Sequence, residues 1–262
     1  MSDLSVLFAQ LRDSGRTAFC PYLTVGFPNV PLSIEMAAAA SRAGANVVEV
    51  GVPFSDPLAD GPTIQAASQT ALDGGVDVED AFRVVRSVRA AGDAIPVLMT
   101  YFNPVHRMGL VRFVERAADA GAAGLIVPDL PLEEGAHLRA IARERGLDVI
   151  SLIAPTTPDE RVARISKESS GFLYLVAVTG VTGAREQLGE GIRDYVARVR
   201  VQTDLPLCVG FGISTPEHAR VVADVADGII VGSALVDRVR EDPERAPAII
   251  EAAVEEFLGE LV

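Results

Sequence analysis

Short runs rich in Val, Ile and Leu recur along the chain, separated by longer stretches in which apolar residues return every three or four positions. Runs of the first kind are the pattern of strands buried on both faces, and stretches of the second kind are the pattern of crossover helices. Eight candidate strands follow: Ala18–Thr24, Val47–Val50, Val97–Tyr101, Gly124–Val127, Asp148–Ile153, Phe172–Val176, Leu207–Val209 and Gly228–Val231. Start-to-start spacings of 21 to 50 residues leave room for a helix and two loops in every interval. The pattern predicts an α/β fold, a (β/α)8 TIM barrel. A doubly wound open sheet competes, but eight strands without a glycine fingerprint after the first disfavour it.

Helix boundaries sharpen the picture. Leu4, Leu7, Phe8 and Leu11 give an apolar face to an extra N-terminal helix with Asp3 near its start, expected to cover the barrel floor. Starts are expected where a capping residue precedes Pro and an acid, at Thr157-Pro158-Asp159, Thr215-Pro216-Glu217 and Asp242-Pro243-Glu244. Stops are expected at the Ala-Gly-Ala sequences 43–45 and 120–122. No linker or low-complexity segment interrupts residues 1–262, so a single barrel domain is expected.

Composition narrows the partners. A net charge of −13 opposes extended contact with phosphate backbones, so neither nucleic acid nor an anionic membrane is expected to bind. Cys20 and Cys208 sit in apolar runs, where a thiol packs as a small hydrophobe; a disulfide is possible but unneeded. With no basic-then-apolar leader pattern and no apolar run of spanning length, a cytoplasmic location is expected.

Residue counts also exclude mechanisms. Lys167 is the only lysine and falls at the floor end of a helical pattern, which argues against Schiff-base chemistry. His106, His137 and His218 stand apart with no metal-ligand spacing, and surface or capping roles are expected for them. Gly210-Phe211-Gly212 opens like a dinucleotide fingerprint, but Thr215 stands where the third glycine belongs. Carboxylate acid–base chemistry and anion binding by backbone amides remain.

Glu49 interrupts Val47-Val48-Glu49-Val50, where a carboxylate must be paired or have its pKa raised; it is either a structural ion-pair partner or a functional acid. Asp60 lies on the loop leaving that strand and is either the N-cap of a helix near Pro62 or a second acid at the barrel mouth. Tyr174 reads first as a core aromatic, Asp129 as a loop or cap residue, and Arg83, Arg86 and Arg89 as a solvated stripe. Gly210–Ser214 follows the seventh strand. Val231–Leu235 follows the eighth and opens a short helix; in a barrel these two loops are the usual phosphate cradle, and the alternative is that their glycines merely turn the chain. The glycines at 180, 183, 189 and 191 suggest a long loop able to close over substrate.

The stretches VVEVGVPFSDPLADGP (47–62), IVPDLP (126–131), YLVAVTGVTG (174–183), GFGIS (210–214) and VGSA (231–234) resemble the tryptophan synthase α-subunit family in the same order, nearly end to end. The resemblance implies retro-aldol cleavage of indole-3-glycerol phosphate to indole and glyceraldehyde 3-phosphate. It makes Glu49 and Asp60 the acid–base pair with Tyr174 lining the site. It assigns Gly183, Gly212, Gly232 and Ser233 to the substrate phosphate, and Tyr22, Leu98, Ile126, Pro128, Thr182 and Phe211 to the pocket, with Thr182 meeting Asp60 on closure. The chain departs from the family pattern at Tyr22, where several relatives have Phe, at Pro128, where some have Ala, and at Val178-Thr179, which lacks an Arg of enteric relatives. No cofactor is implied in this chain. A partner β subunit carrying pyridoxal phosphate is implied, in an α2β2 tetramer, contacted through an apolar mouth patch of Pro53, Phe54, Asp56, Pro57, Leu58, Asn103 and Pro104. A stand-alone lyase, another phosphosugar barrel enzyme such as an isomerase, and a non-catalytic activator of β are the alternatives.

Overall fold

The computed structural model describes residues 2–176, 185–210 and 212–261. Eight parallel strands close into a barrel in sequence order: β1 (Ala18–Thr24), β2 (Val47–Gly51), β3 (Ile95–Met99), β4 (Gly124–Ile126), β5 (Asp148–Ile153), β6 (Leu173–Val176), β7 (Leu207–Gly210) and β8 (Gly228–Val231), with β8 pairing back onto β1. Three strands match the sequence reading at both ends, and β3 moves most, starting two residues earlier. Pro96 lies inside it, unable to donate, yet its carbonyl accepts the Ala123 amide at 2.9 Å. Tyr101 is thereby expelled from the strand to become the N-cap of the helix Phe102–Met108.

Register decides which side chains enter the barrel. Successive residues of a strand alternate in face, and the partners Tyr22–Glu49–Val97–Gly124–Asp148 run across β1 to β5. The row Leu152–Tyr174–Cys208–Gly228–Ala18 continues from β5 around to β1. One face therefore holds Tyr22, Glu49, Met99, Ile126, Tyr174 and Ile230. The opposite face, with Leu98 and Leu125, packs under the helices.

The helix Asp3–Asp13 buries Leu4, Phe8 and Leu11. Leu4 reaches Gly124 and Gly171, at the start of β4 and before β6, while Phe8 packs on Phe172 at 5.7 Å, so this helix does close the floor. Ser2 caps it, accepting the Ser5 amide. Gly44 and Gly121 adopt φ of +95° and +99° just after their helices, as the Ala-Gly-Ala stops require.

Several local expectations are corrected. Thr215 caps its helix through the His218 amide, but Thr157 accepts the Ala154 amide instead and leaves Pro158 at the N-cap. Asp242 precedes only a short 3-10 turn, Pro243–Arg245, without capping it. Gly189 and Gly191 belong to the helix Arg185–Arg200, not to a loop, because burial of Ile192, Tyr195, Val196 and Val199 along one face outweighs the propensity cost of about 1 kcal/mol per glycine. Arg89 is not merely solvated: it donates to the Gly121 carbonyl at 2.8 Å and to Asp3 at 2.6 Å, tying three helices together.

Because Leu4 is fully buried against barrel strands, Leu4→Ala is expected to cost about 2–5 kcal/mol in urea unfolding. Leu58→Ser, at a side chain 91 % exposed, should change little.

Candidate active site

Glu49 is 2 % exposed, inside a strand whose every residue is buried. Neither carboxyl oxygen has a hydrogen-bond partner among the described residues, so the ion-pair reading fails. Burial, and secondarily the charge on Asp60, push its pKa up to about 8. Two tyrosines share its face of the barrel and feel its charge. Tyr22 crosses from β1 so that its hydroxyl takes the space a Cβ on Gly51 would need, and Tyr174 stands over Gly210 in the same way. Only glycine fits at the ends of β2 and β7 beneath these rings. Desolvation raises both phenols far out of the titrating range.

Asp60 ends the loop between β2 and the helix Pro62–Asp73. It is not that helix's N-cap; Gly61 is, without a side-chain bond. Its carboxyl is half-buried, and burial raises its pKa to about 6 against the opposing effect of a hydrogen bond from Tyr101. Nothing in the sequence reading had singled out Tyr101. The signal that could have found it is Asp129, which caps the next helix through the Phe102 amide at 2.8 Å and so fixes Tyr101 at the mouth.

Tyr22, Asp60 and Tyr174 line one cavity of about 180 Å3, together with Met99, Ile64 and Ile230 and two glycine turns. Gly212, at φ +78°, leads Ile213 and Ser214 into it, and Gly232, Ser233 and Ala234 enter from the start of the helix Ser233–Glu241. That helix has no side-chain cap, so its first-turn amides have no side-chain acceptor where they border the cavity. Glu49 does not itself line the cavity; both tyrosines that its charge affects do.

The expected pocket residues divide. Leu98 is fully buried on the helix-facing side of β3, and the alternation of the strand gives its place to Met99. Ile126 shares the inward face but does not reach the cavity, and Pro128 lines a separate hollow beside β5 with Leu130 and Arg161. Thr182, Gly183 and Phe211 lie outside the described residues, as do Gly180 and Val178-Thr179. The mouth patch is less apolar than expected. Pro53 is buried and Phe54 is stacked on Tyr101 at 5.2 Å, which leaves Leu58 and half-buried Pro57 outward, with Asp56 and Asn103 exposed. Phe54, Asn103 and Pro104 share a groove with Arg107 and Arg112. No cluster of metal-ligating side chains exists among the described residues.

A sequence model described as "Tryptophan synthase alpha chain" matches residues 8–261. The chain belongs to the tryptophan synthase alpha chain family. It is 51% identical over 263 residues to the tryptophan synthase alpha chain of Chloroflexus aggregans, covering 100% of this chain and 97% of that one. Among solved structures it superposes on tryptophan synthase from M. tuberculosis, in an aminoacrylate-bound form, with TM-score 0.91 at 37% identity and 100% coverage of both chains. It also superposes on tryptophan synthase subunit alpha from Legionella pneumophila str. Paris with TM-score 0.92 at 33% identity, covering 100% of this chain and 98% of that one. No helix among the described residues is long and apolar enough to cross a membrane.

The raised pKa of Glu49 makes stability depend on pH. Between the unfolded value of 4.5 and the folded value of about 8, the native state holds a proton that the unfolded chain has lost, so stability falls as pH rises through that window. Glu49→Gln is therefore expected to be more stable than wild type at pH 8 by about 2–4 kcal/mol, with the gap closing by pH 4.5, measured by urea unfolding at the two pH values.

Proposed function

We infer that the chain cleaves indole-3-glycerol phosphate to indole and glyceraldehyde 3-phosphate, and that Glu49 and Asp60 are its catalytic residues. One observation carries the assignment: a carboxyl buried in the barrel with no hydrogen-bond partner among the described residues, and a second at the mouth, lining a cavity bordered by Gly212, Gly232 and the start of the helix Ser233–Glu241. The phosphate sits against Gly212, Gly232 and Ser233, where amides and a helix dipole serve in place of lysine.

Carbon–carbon cleavage needs a place for electrons, and the indole ring provides it. The Glu49 carboxylic acid, held protonated by burial, gives its proton to indole C3, and the ring becomes an indoleninium. The resulting carboxylate takes the proton of the adjacent glycerol hydroxyl as the C3–side-chain bond breaks. Its electrons return to the ring, the carbonyl of the aldehyde forms, and Glu49 ends as it began. Asp60, ionised, faces the ring N–H where positive charge develops. Two carboxyls in unlike environments thus hold opposite protonation states near neutrality.

This chain acts with a β subunit, expected in an α2β2 assembly in which β carries pyridoxal phosphate and consumes the indole. Leu58 and the groove edged by Phe54, Asn103 and Pro104 are the surface proposed for that contact. A cytoplasmic setting accords with Cys20 and Cys208 remaining buried thiols.

The test is indole release from indole-3-glycerol phosphate, with and without β. Glu49→Gln and Asp60→Asn should each lose about 10²-fold or more in kcat, and full activity in either variant removes that residue's role. The wild-type kcat/KM should rise as Asp60 ionises near pH 6 and fall as Glu49 ionises near pH 8.

A further inference from the structure

We propose that Tyr101 is a positioning residue for the indole-releasing reaction, its hydroxyl setting the orientation and charge state of Asp60 and its ring anchoring the loop that carries Asp60. The proposal rests on the reading that Asp60 meets the substrate.

The backbone of Tyr101 is fixed from outside. It is the N-cap of the helix Phe102–Met108 but caps nothing with its own side chain. The amide that follows it is held instead by Asp129 from the loop after β4. The phenol is thereby free to reach across to the loop after β2, and Tyr101 is only 4 % exposed. Its ring stacks on Phe54 near the start of that loop, with centroids 5.2 Å apart and planes 29° from parallel. At the other end, its oxygen accepts the Ala59 amide proton at 3.0 Å. With one lone pair committed to Ala59, the O–H is left to act on the carboxyl of the next residue, Asp60, whose pKa it lowers. One side chain therefore holds both ends of the Phe54–Asp60 loop, the second through two consecutive residues.

The same hydrogen bond opposes the effect of burial on Asp60. Glu49 from β2, Tyr22 from β1, Tyr174 from β6 and Asp237 from the helix after β8 are the other titratable groups around it, and Asp237 is tied to Arg240. Among the described residues Tyr101 is the one that donates to the Asp60 carboxylate. A donor to a carboxylate favours its ionised form. Without this hydroxyl more of Asp60 would be protonated at neutral pH, and it would offer no charge to the ring N–H.

Tyr101→Phe keeps the stack and deletes the hydroxyl. The experiment has two readouts: a 13C-carboxyl NMR titration of Asp60 in the free chain, and the pH profile of kcat/KM with β present. The Asp60 midpoint is expected to move up by about one pH unit, the acid limb of the profile moving with it, as loss of a charged hydrogen bond implies. Activity relative to wild type at the same pH should be reduced at pH 6.5 to 7 and largely restored near pH 8, with thermal unfolding close to wild type. An unmoved Asp60 midpoint overturns the proposal, whether activity is unchanged or falls uniformly with pH. Asp60→Asn assayed alongside separates the two readings. Full activity there sinks the catalytic role of Asp60, whereas loss of activity there with an unshifted Tyr101→Phe sinks only the role of Tyr101.

Discussion

The carboxyl of Glu49 is taken out of water by a closed barrel whose described residues offer it no hydrogen-bond partner, and the rest of the site is arranged around that fact. Desolvating an ionised carboxylate costs several kcal/mol, so the group holds its proton to well above the ordinary range. Its burial follows from register. Tyr22 stands opposite it on β1, and the rings of Tyr22 and Tyr174 lie over Gly51 and Gly210, which must lack side chains for the rings to settle. A buried acid of this kind lowers stability, and a barrel with such an extensive aliphatic core can carry it.

Asp60 complements Glu49 because its surroundings differ. It is less buried, it receives a hydrogen bond, and it stands on a loop rather than within a strand. Two chemically similar groups, one lining the cavity and one buried beneath it, thus take up different protonation states, the property that the proposed proton donor and electrostatic stabiliser need. The phosphate end follows another economy. With a net charge of −13 and a lone lysine on the floor side, the attraction proposed for the substrate phosphate is that of amides and the dipole of the helix Ser233–Glu241. These act at short range and do not depend on the charge of the whole chain.

The loop from Phe54 to Asp60 links the inside of the site to its rim. Leu58 projects from it into solvent, while Tyr101 grips it at both ends. A partner pressing on Leu58, as proposed, would act on a segment that ends in Asp60, the carboxylate proposed to react, and only a few covalent bonds separate the two.

Much of this was legible in the chain. Strands buried on both faces announce themselves as short aliphatic runs, and Glu49 is conspicuous among valines because burial and charge conflict there. The floor helix and the glycine turns after β7 and β8 also follow from local pattern and residue type. Other features depend on which distant residues meet. The choice of Met99 over Leu98 turns on the face of β3, and the continuation of the helix through Gly189 and Gly191 turns on packing of Ile192 to Val199. The importance of Tyr101 turns on Asp129, Phe54 and Ala59 converging from three loops. Periodicity and residue chemistry are properties of neighbours along the chain, so sequence determined the elements and the candidate acids. Orientation, burial and proton affinity are set by groups far apart in sequence and close in space, and only the closed barrel decided those.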